Sequence, residues 1–349
     1  MRSLDYAVDE PYGVVAVIVP WNAPLVSLAQ IAGAALAAGN AVVLKPELAP
    51  FTALRVGELL LEAGGPPGAL NIVPGGPEAG AALVRHPDIG KLHFTGSVAT
   101  ARSVISSAAE HLTPVALELG GKSAHGIFED ADVKAASRHA LAGLVIYSGQ
   151  GCANGTRVLV HASIYDELLE TLLGRLRRLA VGDPLDARTT IGPVVSERAC
   201  ERIVGVIDRA QELGAGRLVA GGGRIGGELA GGFYIAPTVF AEVDGASELA
   251  QQEIFGPVLA FARFETEKEA IELANSTPYG LAAYVHTTDG RRAHRVAREL
   301  AAGNVWVNGF FGIPPSMPFG GVKQSGYGRV GGVAGLREFL RPKNVWLAL

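Results

Sequence analysis

The sequence contains little cysteine: Cys152 and Cys200 are the two cysteines among 349 residues. A single bridge between them is conceivable, but so sparse a set excludes the multi-disulfide framework of small secreted domains. We therefore expect reduced thiols and a cytoplasmic protein. The eight histidines form no H-E-x-x-H pattern and share no ligand spacing with the cysteines, so the sequence predicts no metal site.

The sequence also lacks long apolar runs and strongly basic blocks. Its most apolar stretch, residues 23–44, is interrupted by Pro24, Gly33, Gly39 and Asn40, so it does not predict a membrane span. The first 13 residues lack the apolar core of a signal peptide. With 30 basic and 34 acidic residues and a net charge of −4, the chain has no electrostatic signature of nucleic-acid or membrane-surface binding.

The sequence does contain apolar β-branched runs that alternate with segments of helical periodicity, over a length sufficient for two domains. The first series has predicted strands at Gly13–Val19, Ala41–Leu44, Ala69–Val73, Lys91–Phe94 and Val115–Leu119, with helices at Pro24–Ala38, Thr52–Ala63, Glu78–Arg85 and Val98–Ala109. This series predicts a doubly wound parallel sheet with its ligand at the carboxyl ends of the strands.

A second α/β series follows Gly121. Its predicted helices are Val133–Tyr147, Ile164–Ala180, Glu197–Gly214 and Glu267–Asn275, and its predicted strands are Val158–Val160, Val258–Phe264 and Leu281–Val285. The tail Asn344–Leu349 is predicted to be a strand that pairs outside its own domain. The fold class is therefore α/β, with two doubly wound domains and a small strand element.

Three glycine-containing segments resemble phosphate-binding motifs without meeting their requirements. Residues 221–226 and 326–331 match G-x-G-x-x-G. The first segment follows a possible strand but precedes no helix, and the second lies too near the end of the chain for a βαβ unit to follow, so we interpret both as turns. Residues 121–123 resemble the end of a phosphate loop, but Ala116 stands where the loop needs its first glycine. A Walker-type NTPase is therefore not predicted.

A set of segments in a fixed order is more specific than any of these motifs. The segments are Pro20-Trp21-Asn22, Leu44-Lys45-Pro46-Glu47, Phe94-Thr95-Gly96-Ser97, Leu117-Glu118-Leu119-Gly120-Gly121-Lys122-Ser123, Gly149-Gln150-Gly151-Cys152, Glu253-Ile254-Phe255-Gly256-Pro257 and Pro318-Phe319-Gly320-Gly321-Val322-Lys323-Gln324-Ser325-Gly326. From about Pro11 to its end, the chain resembles the aldehyde dehydrogenase superfamily.

The resemblance implies a catalytic set of Cys152, Glu118, Asn22 and Lys45. Cys152 is the implied nucleophile, Asn22 and the Cys152 backbone N–H stabilise the resulting oxyanion, and Glu118 activates the water that hydrolyses a thioester. Each residue also has a simpler interpretation. Cys152 could be a buried inert thiol, Asn22 could cap the helix near Pro24, and Glu118 could be a solvated or paired carboxylate.

The resemblance also implies an NAD cofactor, with NADP as the open alternative. The implied cofactor residues are Pro20, Trp21, Lys45, Glu47, Gly75, Phe94, Gly96, Ser97, Leu119, Glu253 and Phe255. Their simpler interpretations include a surface position for Lys45, a helix cap at Ser97 and core packing for Phe255. Glu47 would favour NAD by repelling the extra phosphate of NADP, but the segment from Lys45 to Pro50 is one residue shorter than the family pattern.

The implied organisation places the Rossmann-like NAD(P)-binding domain at 13–120, the catalytic domain at 121–325, a return segment at 326–340, and oligomerisation strands at 1–12 and 341–349. Full-length relatives carry a large segment before the Pro20-Trp21-Asn22 motif, so we expect this chain to be N-terminally truncated. With that segment present, we expect a homodimer or homotetramer.

The predicted activity is oxidation of an aldehyde to a carboxylic acid with NAD(P), through a thioester on Cys152. One alternative is a truncated, non-catalytic NAD(P)-binding or assembly module. Another is a coenzyme-A-acylating relative, which the presence of Glu118 argues against. The aldehyde is not identified by the sequence; Tyr147, Phe310 and Phe311 are candidate pocket walls, with ordinary packing as the alternative.

Overall fold

The computed structural model describes residues 2–349, so only Met1 of the predicted 1–12 strand segment lies outside the described residues. Its strands are β1 (Ser3–Pro11), β2 (Val14–Val19), β3 (Ala41–Pro46), β4 (Leu70–Ile72), β5 (Lys91–Gly96), β6 (Val115–Leu119), β7 (Ala124–Ile127), β8 (Arg157–His161), β9 (Arg217–Ala220), β10 (Thr238–Ala241), β11 (Val258–Phe264), β12 (Ala282–His286), β13 (Asn304–Val307), β14 (Gly326–Tyr327) and β15 (Leu340–Ala348).

The α-helices are α1 (Pro24–Ser27), α2 (Gly33–Ala37), α3 (Phe51–Glu62), α4 (Pro77–Val84), α5 (Val98–Ala108), α6 (Val133–Val145), α7 (Tyr165–Leu176), α8 (Glu197–Glu212), α9 (Glu248–Gln251), α10 (Glu267–Asn275), α11 (Gly290–Glu299) and α12 (Gly332–Arg337). Within residues 2–349, no helix is both long enough and apolar enough to cross a membrane.

The chain divides into two compact units. The first extends to Leu119 and includes Ile313–Gly321 and Ser325–Leu349, and the second comprises Gly120–Gly312 and Val322–Gln324. The predicted boundary after residue 120 lies one position from the observed one. Residues 313–321 and Ser325 belong to the first unit in the structure, although they were predicted to belong to the catalytic domain.

The first unit is built on a six-stranded sheet in the order β14-β6-β5-β2-β3-β4. All neighbouring pairs are parallel except β14 with β6. Val15, Ala16 and Val17 are completely buried in the central strand β2, as the uninterrupted apolar run predicted. The chain moves outward from β2 in both directions, so the strand order reverses between β2 and β5, and the predicted doubly wound topology is confirmed.

The predicted helix Pro24–Ala38 is present but irregular. A π-helical turn at Leu28–Ala32 separates α1 from α2. The helix ends as predicted at Gly39, which has a left-handed φ of 88° that glycine adopts without strain. The Asn40 side chain then donates to the carbonyl of Ala35, 3.0 Å away, and secures the end of the helix.

The second unit contains a seven-stranded sheet in the order β13-β12-β7-β8-β11-β10-β9. Only β9 runs antiparallel to its neighbour, so this sheet is also mainly parallel, as predicted. Sequence periodicity missed β7, β9, β10, β13, α9 and α11. α11 was missed although its buried residues Ala293 and Val296 are three positions apart, the spacing that places two residues on one helical face.

The two chain ends form a separate antiparallel ribbon within the first unit. β1 pairs with β15 in a continuous register from Ser3 opposite Ala348 to Pro11 opposite Leu340. The expectation that the tail pairs outside its own domain is therefore wrong, because its partner strand belongs to the same unit. The tail strand also begins at Leu340, earlier than predicted.

Candidate active site

In the first unit, the predicted site residues lie at the carboxyl ends of neighbouring parallel strands. Pro20-Trp21-Asn22 follows β2, Lys45 is the penultimate residue of β3, Gly96 ends β5, and Glu118 is the penultimate residue of β6. Since these strands are parallel and adjacent, the residues share one edge of the sheet. β2 and β5 flank the reversal of strand order, which is where doubly wound folds bind their ligands.

Asn22 does not cap the helix that follows it. The N-cap of α1 is Ala23, whose side chain makes no capping hydrogen bond. The simpler interpretation of Asn22 as a helix cap is therefore wrong. Asn22 is partly exposed in the segment that leaves β2.

Lys45 is buried rather than placed on the surface. It is 6% exposed, and a Cβ built on Gly80 of α4 would lie 4.0 Å from the lysine Cδ and Cε. The interpretation as a surface lysine is therefore wrong. Glu47 follows the end of β3 and is exposed, so its carboxylate is accessible.

Two helices begin near the same sheet edge. Ser97 is the N-cap of α5 and its hydroxyl accepts from the N–H of Thr100 at 3.2 Å, so the capping role suggested for Ser97 is correct. Gly76 is the N-cap of α4, directly after Gly75. Helix N-termini present partial positive charge and N–H groups, which is the environment that a pyrophosphate requires.

Two of the predicted cofactor residues do not expose their side chains. Phe94 and Leu119 are each 5% exposed and pack in the same core cluster of the first unit. Their side chains therefore pack in the core of the first unit, and their assignment as cofactor residues stays a prediction.

Glu118 is the most unusual acid of the first unit. It is 6% exposed, and neither carboxyl oxygen has a hydrogen-bond partner among the described residues. Gly320 packs so closely that an added Cβ would lie 2.6 Å from Glu118 Oε1. Burial raises the pKa of Glu118 well above its ordinary value; Arg329 opposes the rise and Glu338 adds to it. A solvated or ion-paired carboxylate is therefore excluded.

Because Glu118 is buried, we expect it to lower the stability of the fold as pH rises. Its folded-state pKa is raised, so the folded chain holds the proton more tightly, and stability is lost as pH rises from the ordinary carboxylate range through the raised pKa. We expect Glu118→Gln, which does not titrate, to melt about 2 °C or more above the unmutated chain at pH 8. Near pH 4 the melting temperatures of Glu118→Gln and the unmutated chain should be equal. Thermal unfolding at both pH values measures this, and a constant difference would contradict it.

Cys152 in the second unit is partly exposed, whereas Cys200 is buried in α8, and both are thiols rather than halves of a disulfide. The interpretation of Cys152 as a sealed, inert thiol is therefore wrong. Tyr147, Ser148 and Gly149 precede it in left-handed conformations, with φ of 52°, 54° and 75°. For the two non-glycine residues this conformation is strained, which is common where a segment is shaped for function.

Side-chain hydrogen bonds secure the segment around Cys152. Gln150 Nε2 donates to the carbonyl of Tyr147 at 2.9 Å, and Gln150 Oε1 accepts from the N–H of Val195 at 3.0 Å. Cys152 itself lies five residues before β8, at the amino end of that parallel strand. The predicted residues of the first unit lie at the carboxyl ends of strands, whereas Cys152 of the second unit does not.

Glu253 is held against a glycine pair in the second unit. Its Oε1 accepts from the N–H of Gly121 at 2.9 Å, and a Cβ on Gly120 would lie 2.0 Å from Oε2, so only glycine fits there. Burial raises the pKa of Glu253 to about 7. Phe255 is partly exposed and adopts a left-handed φ of 51°, which is uncommon for a bulky residue.

Lys122 lies in this region but was not predicted as a site residue. It belongs to the segment 121–123, which resembles the end of a phosphate loop but lacks the required first glycine. It is 2% exposed, and its Nζ has no hydrogen-bond partner among the described residues. Burial and the nearby Arg157 lower the pKa of Lys122 to about 7, while Glu253 opposes the change. The signal in the sequence was a lysine inside an otherwise small and apolar segment.

The structure therefore groups the predicted residues in two sets. Asn22, Lys45, Gly96 and Glu118 share the sheet edge of the first unit, while Cys152 and the Glu253-Phe255 pair precede the neighbouring strands β8 and β11 of the second. Across residues 2–349, no group of three or more His, Cys, Asp or Glu side chains is arranged to hold a metal ion.

Comparisons with known proteins add to this description. The sequence profile of the Aldehyde dehydrogenase family matches residues 1–345. A betaine aldehyde dehydrogenase of Cereibacter sphaeroides is 45% identical over 345 residues, covering 99% of this chain and 71% of the relative.

Solved structures agree with the sequence relatives. Betaine aldehyde dehydrogenase from Staphylococcus aureus in complex with NAD+ is 38% identical with a TM-score of 0.95, covering 99% of this chain and 69% of that chain. PnpE from Pseudomonas sp. WBC-3 is 41% identical with a TM-score of 0.96, covering 99% of this chain and 71% of that one.

Proposed function

The chain belongs to the aldehyde dehydrogenase family, and on that premise we propose that it oxidises an aldehyde to a carboxylic acid with NAD as electron acceptor. The burial of the Glu118 carboxyl is the observation that best supports hydrolysis of a thioester as the second half of this reaction. Stability explains this residue poorly, because burying a carboxyl whose oxygens have no hydrogen-bond partner among residues 2–349 costs free energy. It is well explained as a base whose pKa has been raised toward neutrality.

The residues of the first unit suit NAD. Its pyrophosphate would be held at the N-termini of α5 and α4, where Ser97 and Gly76 begin the helices. Lys45 and the exposed Glu47 would contact the adenosine ribose. A carboxylate at Glu47 repels the additional phosphate of NADP, which favours NAD. Glu253 and Phe255 of the second unit would hold the nicotinamide half.

The proposed chemistry begins with the Cys152 thiolate. Its sulfur adds to the aldehyde carbon, and the C=O electron pair moves onto oxygen, which the Asn22 amide and the Cys152 backbone N–H stabilise as donors. NAD, when bound, supplies the two-electron acceptor that converts this adduct to a thioester. Glu118 then takes a proton from water, the hydroxyl oxygen bonds to the acyl carbon, and the C–S bond breaks to release the carboxylic acid and the thiolate.

The two units divide these tasks in the proposal. The first unit binds the dinucleotide and contributes the base and the oxyanion donor, and the second contributes the nucleophile. We assign the β1-β15 ribbon to contacts between copies of the chain, because Leu4, Tyr6 and Trp346 on it are each about half exposed. The proposal requires Asn22, Glu118 and Cys152 to act on one substrate carbonyl.

The decisive assay follows NADH formation at 340 nm with a panel of betaine, aliphatic and aromatic aldehydes, using NAD and NADP in parallel. We expect turnover with at least one aldehyde, formation of the carboxylic acid without coenzyme A, and a higher kcat/KM with NAD. Binding of NAD that raises Tm without any turnover would instead indicate a non-catalytic module. Product formation that depends on coenzyme A would indicate an acylating enzyme and contradict the role of Glu118.

A further inference from the structure

Tyr284 in β12 is a buried residue that contacts the nucleophile segment. Its side chain is 1% exposed, and its hydroxyl donates a buried 2.9 Å hydrogen bond to the carbonyl of Ala153, the residue after Cys152. Both residues belong to the second unit. A buried tyrosine needs a partner for its hydroxyl, and here the partner is the backbone of the residue that follows Cys152.

Stacked rings fix the orientation of Tyr284. His125, Trp306 and Phe310 lie with their ring centroids 5.1, 5.0 and 5.1 Å from that of Tyr284, at interplanar angles of 25°, 20° and 12°. His286 stacks on the far side of the pair, with its centroid 4.9 Å from that of His125. Such a stack leaves the tyrosine ring little freedom to swing its hydroxyl away from Ala153.

The backbone beside Cys152 fits closely against this stack. A Cβ on Gly155 would lie 2.8 Å from Tyr284 Cδ2 and 3.0 Å from His125 Nδ1, so the chain can pass the two rings only as glycine. A Cβ on Gly121 would lie 3.0 Å from the carbonyl oxygen of Cys152. The N–H of Asn154 donates to the carbonyl of Gly151 at 3.2 Å, which closes a turn around Cys152.

We propose that Tyr284 is a positioning residue for the Cys152 nucleophile. Its hydroxyl fixes the peptide between Ala153 and Asn154, one residue after Cys152, and the ring stack fixes the hydroxyl. The turn is thereby held so that the thiol has one orientation toward the carbonyl it attacks. A displacement of about 1 Å in such a constellation costs on the order of a hundredfold in rate. The proposal rests on the function proposed above, in which Cys152 is the nucleophile.

The electrostatics of Tyr284 keep its hydroxyl a hydrogen-bond donor. Burial is the main cause that raises the pKa of its hydroxyl, and the charge of the nearby Cys152 thiolate raises it further. The hydroxyl therefore stays protonated as a donor throughout the working pH range. Ionisation of Cys152 strengthens that state, so activation of the nucleophile does not release the anchor.

The test replaces Tyr284 with Phe and compares it with Tyr165→Phe as a matched control. Tyr165 is completely buried in the same unit, and its hydroxyl also bonds to backbone, accepting from the N–H of Glu242 at 2.9 Å. Both variants lose one buried hydroxyl contact and keep the ring. We expect Tyr284→Phe to lower kcat about tenfold while KM for NAD and aldehyde stays within about twofold. Tyr165→Phe should keep kcat within about twofold.

A second measurement does not depend on turnover. Alkylation by iodoacetamide depends on the orientation and exposure of the Cys152 thiol, which change if the turn around it loosens. We expect the rate at which iodoacetamide alkylates Cys152 at pH 7 to differ at least about threefold between Tyr284→Phe and Tyr165→Phe. The carboxamidomethyl adduct on Cys152 is quantified by peptide mass.

The outcomes separate the two proposals. An unmutated chain that turns over no aldehyde contradicts the proposed function, and the alkylation comparison then still decides the role of Tyr284. Equal alkylation rates in the two variants, or equal losses of kcat that follow equal losses of Tm, would overturn the positioning role. A selective loss of kcat in Tyr284→Phe with unchanged KM supports it.

Discussion

Cys152→Ala is expected to abolish NADH formation, with a loss of at least about 10⁴-fold in kcat. The proposed reaction has no path to a thioester without a sulfur nucleophile, and NAD bound in the first unit cannot oxidise a hydrated aldehyde at a useful rate without it. NAD binding, measured by its effect on Tm, should persist because the proposed dinucleotide contacts lie mainly on other residues. The measurement is steady-state absorbance at 340 nm with the best aldehyde of the panel.

The matched control for this prediction is Cys200→Ala. Cys200 is the other thiol of the chain, it is 1% exposed, and it packs within the apolar cluster on α8. Burial raises the pKa of Cys200, so it is protonated and unreactive near neutral pH. Cys200→Ala should keep kcat within about twofold. Residual turnover of Cys152→Ala above about 1% of the unmutated rate would remove the thiol from the mechanism.

Glu118→Gln should separate the two halves of the reaction. Oxidation does not require the base, so one equivalent of NADH should form in a burst, while hydrolysis of the thioester slows. General-base catalysis contributes about 10²–10⁴-fold, and we expect a steady-state loss in that range. Rapid-mixing absorbance measures the burst, and intact-protein mass measures the acyl group that accumulates on Cys152.

The pH dependence gives Glu118 an independent signature. A base works in its ionised form, and the pKa of Glu118 is raised by burial, so kcat of the unmutated chain should rise with pH through that raised pKa rather than through the ordinary carboxylate range. Glutamine does not titrate, so the residual kcat of Glu118→Gln should not change with pH over the same interval. Steady turnover at the unmutated rate, or no acyl mass, would exclude Glu118 as the base.

Local patterns predicted a large part of the fold for identifiable reasons. Buried parallel strands such as β2 are continuous apolar runs, and α10 was predicted at its observed bounds, Glu267–Asn275, because its cap and periodicity are both clear. Elements with weak local signals were missed. β7, for example, contains histidine and glycine, which interrupt the apolar pattern of a buried strand.

The candidate site likewise has features that the sequence predicts and features that it does not. Motif order identified Cys152, Glu118 and Asn22, but it could not decide between their functional and simpler interpretations. Those interpretations differ in burial and hydrogen bonding. Glu118, for example, is covered by Gly320, which is about two hundred positions away in the sequence.

The sequence by itself determined the family and the α/β class, because these depend on residue types and their order. Only the tertiary structure decided that Glu118 and Lys122 are buried with no hydrogen-bond partner among residues 2–349, that Ala23 rather than Asn22 is the N-cap of α1, and that the Tyr284 hydroxyl bonds to the backbone beside Cys152. Burial and long-range hydrogen bonds arise when distant segments pack together, and the free energy of an ionisable group follows from that packing rather than from its neighbours along the chain.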